Sequence, residues 1–226
     1  MLFELLCRVQ NTEALKKATE LFRRIPLSYF SNSTGDTNID PEFLSTVIYY
    51  HIQNANDADE WEYLWKNFTE NLSITSQQRI TFLRALGAAK EIWRLKSLLE
   101  IAADINSDVI ETQEFFDLVI SISQNPNGRD VVWNFYRHNY PALLYRFGRT
   151  NRLFNQLIAN IAQSFENSYY YHEMITFINQ NPSPSQFQQL AVDQISMNFE
   201  WLINGMTKAL DDAISAADKS GSKNKN

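Results

Sequence analysis

Cysteine is almost missing from this chain: Cys7 stands alone among 226 residues. A single thiol excludes an internal disulfide framework and every metal site built from several thiolates. Glycine and proline are scarce too, six of each, few for a sheet protein of this size. Long apolar runs are absent, since no window approaches the ~20 residues of a membrane span. The opening MLFELLCRV carries Glu4 and is too short an apolar run for a secretory signal. Basic charge is also in deficit: Lys and Arg number 20 against 26 Asp and Glu, giving a net charge of −6 and a pI near 5.1. Nucleic acid and anionic membranes, which are recruited by a basic face, are therefore not expected partners. The acidic bias is too mild to specify a cationic substrate.

What the chain does have is apolar substance, 44% hydrophobic and 13% aromatic residues, ample for a core. Those residues recur at helical spacing. Leu15, Ala18, Phe22 and Ile25 share one face of a segment from Asn11 to Ile25, and Trp61, Leu64, Trp65 and Phe68 form an i, i+3, i+4, i+7 stripe. Ile92, Leu95, Leu99 and Ala102 make another stripe, as do Phe115, Leu118, Val119 and Ile122. Start and stop signals bracket them. Asp40-Pro41-Glu42 supplies a cap, a first-turn proline and a first-turn acid, Thr75 with Gln78 forms a capping box, and Gly87 closes that helix. The stretch from Pro26 to Asn38 reads as a polar loop. Asn125-Pro126 ends one helix near Gln124 and starts another, in which Val132, Phe135 and Tyr136 share one face and Trp133 and Arg137 another, so both sides need cover.

Beyond Gly148, Phe154, Leu157, Ile158, Ile161 and Phe165 mark a further helix and Tyr170 to Ile178 a shorter one. A long amphipathic segment then runs from Ser185 to about Asp218, and 219–226 reads as a solvated, disordered polar tail. Ten or eleven such helices joined by short turns predict an all-α protein, an irregular HEAT/armadillo-like α-solenoid of antiparallel helix pairs over residues 1–218.

No motif among these residues assembles a catalytic or metal site. His172-Glu173 opens a zinc-protease helix pattern, but the position one turn on is Thr176, and His51 and His138 lie far off in sequence. There is no phosphate-binding glycine loop and no nucleophile elbow. Cys7 reads as a buried helical thiol. The acids Asp57, Asp59 and Glu60, and Asp211 with Asp212, fit helix starts or a polar face. The five tryptophans, Trp61, Trp65, Trp93, Trp133 and Trp201, are expected in the core. Asn32, Asn67 and Asn71 stand in N-x-S/T triplets and are candidate glycosylation acceptors, although a chain with 22 asparagines produces such triplets by chance.

Three strings carry a resemblance: EWEYLWKNF at Glu60 to Phe68, ALGAAKEIW at Ala85 to Trp93, and NPNGRDVVWNFYRHNY at Asn125 to Tyr140, with NFEW at Asn198 to Trp201 near the end. In this order and spacing they resemble the C-terminal helical domain of zinc aminopeptidases of the aminopeptidase N and endoplasmic reticulum aminopeptidase type, from about Leu5 to Ile214. The resemblance implies a HEAT-like bowl that caps a thermolysin-like catalytic domain and encloses peptide. It also implies that the zinc, the H-E-x-x-H motif and the exopeptidase motif belong to an upstream domain, and that the domain's own first helices are missing here. No cofactor is expected in this chain.

The expected partners are a peptide or protein, the catalytic domain of a parent aminopeptidase, or a second copy joined through the N-terminal edge, where Leu2, Phe3, Leu5 and Leu6 and then the Leu15 to Ile25 stripe lack cover. A free-standing α-solenoid adaptor is the alternative function. Extracellular members tend to hold this domain with two disulfides. The matching positions here are Cys7 with Ala14 and Tyr50 with Ala88, so three of the four thiols are absent and the compartment stays open between the family's plasma-membrane or extracellular setting and an intracellular one.

Overall fold

A computed structural model describes residues 2–31, 37, 39–55, 58–71 and 73–223. Those residues form twelve helices: α1 (Leu2–Arg8), α2 (Thr12–Phe22), α3 (Leu27–Ser31), α4 (Pro41–Asn54), α5 (Ala58–Glu70), α6 (Ser76–Leu86), α7 (Ile92–Ala103), α8 (Thr112–Gln124), α9 (Arg129–Phe147), α10 (Arg152–Ala162), α11 (Ser168–Gln180) and α12 (Gln186–Lys223). The all-α class expected from the sequence is the class found. The chain divides into two compact units, Met1–Phe147 and Gly148–Asn226.

In the first unit α2, α4, α6 and α8 pack one on the next as a row, α5 lies on α6, and α7 lies on both α8 and α9. The start signals read from sequence act as expected. Asp40 accepts from the Glu42 N–H at 3.0 Å, and Thr75 and Gln78 close a reciprocal capping box. Leu64, Phe68, Phe82, Leu95, Leu99, Phe115 and Ile122 fill the core between the layers.

The turn between α8 and α9 is where this packing is fixed. Asn125 is 1% exposed and donates from its amide to the carbonyls of Ala89 at 2.7 Å and Gly87 at 3.1 Å, tying the α6–α7 turn to its own. Gly128 closes the turn so tightly that a Cβ there would lie 2.2 Å from the Ile122 carbonyl oxygen. The next helix is covered on both sides, as the spacing of its large residues requires: Val132, Trp133 and Tyr136 are all buried.

The second unit is α10 and α11 packed on α12. Gly148, at φ 80°, supplies the left-handed turn into it. Asn198 donates to the carbonyls of Phe165 at 2.8 Å and Gln163 at 3.1 Å, satisfying backbone acceptors released where α10 ends. The backbone of α12 continues to Lys223, past the Asp218 boundary drawn from sequence, and residues 224–226 lie outside the described part.

Three sequence expectations need correcting. The loop expected from Pro26 to Asn38 contains the helix α3, because Tyr29 and Phe30 are buried against Phe82 (ring centroids at 6.0 and 5.6 Å) and the Tyr29 carbonyl accepts from Gln78 at 2.8 Å. Trp93 and Trp201 are not core residues; they are 61% and 73% exposed, and Trp93 instead lies beside the Arg94 guanidinium at 5.2 Å. At the N-terminal edge Phe3 turns inward against Phe43, and the face of α2 is covered, with Ala18 and Ile25 buried, so only the outer side of α1 stays open.

Candidate functional site

The side chains that converge with open space between them lie along the row formed by α1, α4, α6 and α8. A groove of about 350 Å³ runs there, entered past Glu4 and Arg8 on α1, floored by Tyr49 and Tyr50 on α4, and bounded by Arg84 on α6 and Asp117 on α8. Its far wall is tied off, because Arg84 binds Asp117 at 2.6 Å and the Ser121 hydroxyl donates to the Arg84 carbonyl at 2.7 Å. Its near end is not. Arg8 makes no hydrogen bond or ion pair among the described residues, and the Tyr49 hydroxyl is buried without a hydrogen-bond partner among them.

Burial raises the Tyr49 hydroxyl's pKa above its ordinary value, the neighbouring Tyr50 raises it further, and Arg8 opposes both. Tyr50 is pushed up to about 12, by burial first and then by Glu4 and Cys7. Both phenols are therefore neutral donors at physiological pH. At the groove's lip Gln10 adopts φ 59° and is the one non-glycine residue with positive φ among the described residues. Its side chain donates to Gln53 at 3.3 Å, holding the α1–α2 turn against α4. An exposed guanidinium with no ion pair, a buried phenol donor without an acceptor and a positive-φ turn thus meet in one place, with Glu4 one helical turn before Arg8, an arrangement suited to a ligand with carbonyl oxygens.

Cys7 lies beneath this groove in a buried cluster with Ala14, Ala18 and Tyr50. Burial, helped by Glu4, pushes its thiol up to about 11, so it packs and does not act as a nucleophile. Cys7 and Ala14, matched to a disulfide by the family resemblance, do fall together in this cluster.

His172 is exposed on α11, and the Thr176 hydroxyl that stands where a second ligand would be donates back to the His172 carbonyl at 2.8 Å. No three His, Cys, Asp or Glu side chains come together as a metal site among the described residues. Asn67 is half-buried within α5 with its amide donating to the Tyr63 carbonyl at 2.8 Å. The Asn71 amide donates to the Ser31 carbonyl at 2.6 Å and its oxygen accepts from Ser73. Asn32 and Asp57, and the side chains of Asp211 and Asp212, lie outside the described residues.

One constellation was not legible in sequence. His51, 4% exposed, stacks on Phe22 at 3.8 Å, and its Nε2 lies 2.7 Å from Glu60 Oε2, with Nδ1 3.4 Å from the Thr19 hydroxyl. Burial lowers the histidine's pKa; Glu60 partly opposes this and Arg23 adds to it. The first-turn acid of α5 is thus also the partner of a buried imidazole, brought together by packing of α2, α4 and α5.

The model of the ERAP1-like C-terminal domain matches residues 1–197. The chain belongs to that family. Among curated proteins it is similar to endoplasmic reticulum aminopeptidase 2 of Bos taurus, 27% identical over 202 residues, and to the Homo sapiens protein of that name, 26% identical over 204. Glutamyl aminopeptidase of Bos taurus is 24% identical over 201 residues. These alignments take in 88–89% of this chain and 20% of each relative, so this ERAP1-like C-terminal domain chain spans a fifth of their length. Asn125, Trp133 and Asn198, which carried the resemblance, are here the residues that tie turns and fill the core. No helix among the described residues is long and apolar enough to cross a membrane.

Proposed function

We propose that this ERAP1-like C-terminal domain is the non-catalytic helical part of an aminopeptidase-type assembly, capping the active site and enclosing peptide, with the α1–α4–α8 groove turned toward that peptide. The observation that carries this reading is the pairing of the unbonded Arg8 guanidinium with the unpartnered Tyr49 hydroxyl. Arg8 attracts a carboxylate or backbone carbonyl and Tyr49 donates to it, while Gln10 and Gln53 offer amides alongside. Peptide is bound by this chain and cut elsewhere.

Partners are proposed on a second observation. Leu2, Leu5 and Val9 are 71%, 56% and 65% exposed on one side of α1, a contiguous apolar face of the kind that packs on another protein surface. This is the surface by which the domain joins the rest of such an enzyme. It equally favours the second reading, a free-standing adaptor that holds a partner there without any peptidase. Photo-crosslinking with a mixed decapeptide carrying benzoylphenylalanine separates the two. Labelling centred on α1 and α4 and lost in Arg8→Glu is the expected result, whereas labelling confined to Leu2, Leu5 and Val9, or none, removes the groove from the account.

A further inference from the structure

The charges that line the groove stand in opposite pairs. At its entrance Glu4 precedes Arg8 by one helical turn on α1, and at its far wall Arg84 binds Asp117 at 2.6 Å. A free α-carboxylate needs an unopposed cation and a free α-ammonium an unopposed anion, because an opposite charge within a Debye length of about 8 Å cancels most of the attraction. Neither pair offers one.

The other polar groups of the lining are neutral. Ser45, Thr46, Gln53 and Gln124 each carry a donor and an acceptor, which matches a peptide unit with its one N–H and one C=O. Gln53 is 9% exposed and accepts from Gln10 through its side-chain carbonyl, and its amide protons are unspent among the described residues. The Tyr49 hydroxyl, buried without a partner, adds a further donor. Of the fourteen residues in the lining only Ile120 and Pro126 are aliphatic, too few for a recess that selects an apolar side chain.

We infer that the groove holds an internal, extended stretch of peptide by its main-chain amides, with both termini outside and little choice among side chains. This rests on the peptide-facing reading of the groove and narrows its ligand from a carboxylate or carbonyl to main-chain amides. Arg8, Tyr49 and Gln53 donate to peptide carbonyls, while the hydroxyls of Ser45 and Thr46 and the Gln124 amide oxygen accept from peptide N–H groups. The stretch is extended because a helical one spends those amides on itself.

The test titrates the full chain calorimetrically with four forms of one unlabelled decapeptide built from Ser, Ala and Asn: free at both ends, N-acetylated, C-amidated, and a depsipeptide in which esters replace alternate internal amides. The first three should bind alike, within about twofold, since exposed end charges contribute little. The depsipeptide should bind at least about tenfold more weakly, because several N–H donors are gone. Tyr49→Phe should weaken the three amide forms about fivefold at an unchanged melting temperature, since its hydroxyl has no partner to lose. Binding that disappears on acetylation or amidation, or a depsipeptide that binds like its parent, overturns the inference and leaves the peptide-facing reading standing. If no form binds saturably, or Tyr49→Phe binds every form as the parent chain does, the peptide-facing reading falls and the inference falls with it.

Discussion

The turn between α8 and α9 and the turn between α1 and α2 join neighbouring helices in the same unit, yet they are built to different ends. At the first, Asn125 spends both amide protons on carbonyls of another turn, Gly128 brings backbone onto backbone, and Trp133 is buried just beyond. Every large group has cover. At the second, Gln10 holds a strained backbone, Arg8 and the Tyr49 hydroxyl have no protein partner among the described residues, and Leu2, Leu5 and Val9 face outward. At the first turn the Asn125 amide is fully used in joining two turns; at the second a guanidinium and a phenol are left over to meet a ligand or a neighbour. That difference is the basis on which the peptide-facing groove is proposed at the α1 end of the unit.

The largest effect that would break this comparison is at the closed turn. Trp133→Ala should destabilise the chain by about 3–5 kcal/mol, as expected for emptying a buried aromatic site, read as a fall in the urea midpoint. Gly128→Ala should cost about 1–3 kcal/mol, because its Cβ meets the Ile122 carbonyl and backbone must shift. The partly buried Arg79–Glu114 pair, bidentate at 2.6 and 3.1 Å, belongs with them: Glu114→Ala leaves a guanidinium that also serves the Val109 and Phe68 carbonyls without its carboxylate and should cost about 1–3 kcal/mol. At the α1 end the same measurement should barely respond. Leu2→Ser, Leu5→Ser and Val9→Ser together should leave the midpoint within about 0.5 kcal/mol of the parent while lowering self-association in light scattering.

A smaller effect comes from His51. Its folded pKa lies below the unfolded value of 6.5, so the unfolded chain binds more protons as pH falls through 6.5 and stability drops over the interval down to the folded value. His51→Gln should flatten stability against pH over that interval. An unchanged slope would mean that burial does not govern the imidazole.

The all-α class was legible because apolar spacing and capping residues act within one helix: Thr75 with Gln78, Asp40-Pro41, and the stripe ending at Phe68 needed no tertiary knowledge. What failed depended on partners distant in sequence. Tyr29 and Phe30 become helical because Phe82 and Gln78 receive them some fifty residues later, which local polarity could not reveal. Trp93 and Trp201 satisfy apolar spacing on helices whose covered arc is narrower than the stripe. Glu60 read correctly as a first-turn acid, but the imidazole it holds came from α4 and could not be read. The groove was hidden for a similar reason, since Arg8 and Tyr49 are 41 positions apart and neither belongs to a motif.

The most direct measurement is an anisotropy titration of a fluorescein-labelled decapeptide against the parent chain, the Arg8→Glu variant and the Leu2/Leu5/Val9 serine variant. The expected result is saturable binding by the parent, loss of at least about fivefold in affinity for Arg8→Glu, comparable to a charge-assisted bond replaced by repulsion, and little change for the serine variant. Binding that survives Arg8→Glu unchanged but disappears with the three serines would contradict a peptide-facing groove and make the outer face of α1 the only docking surface in play.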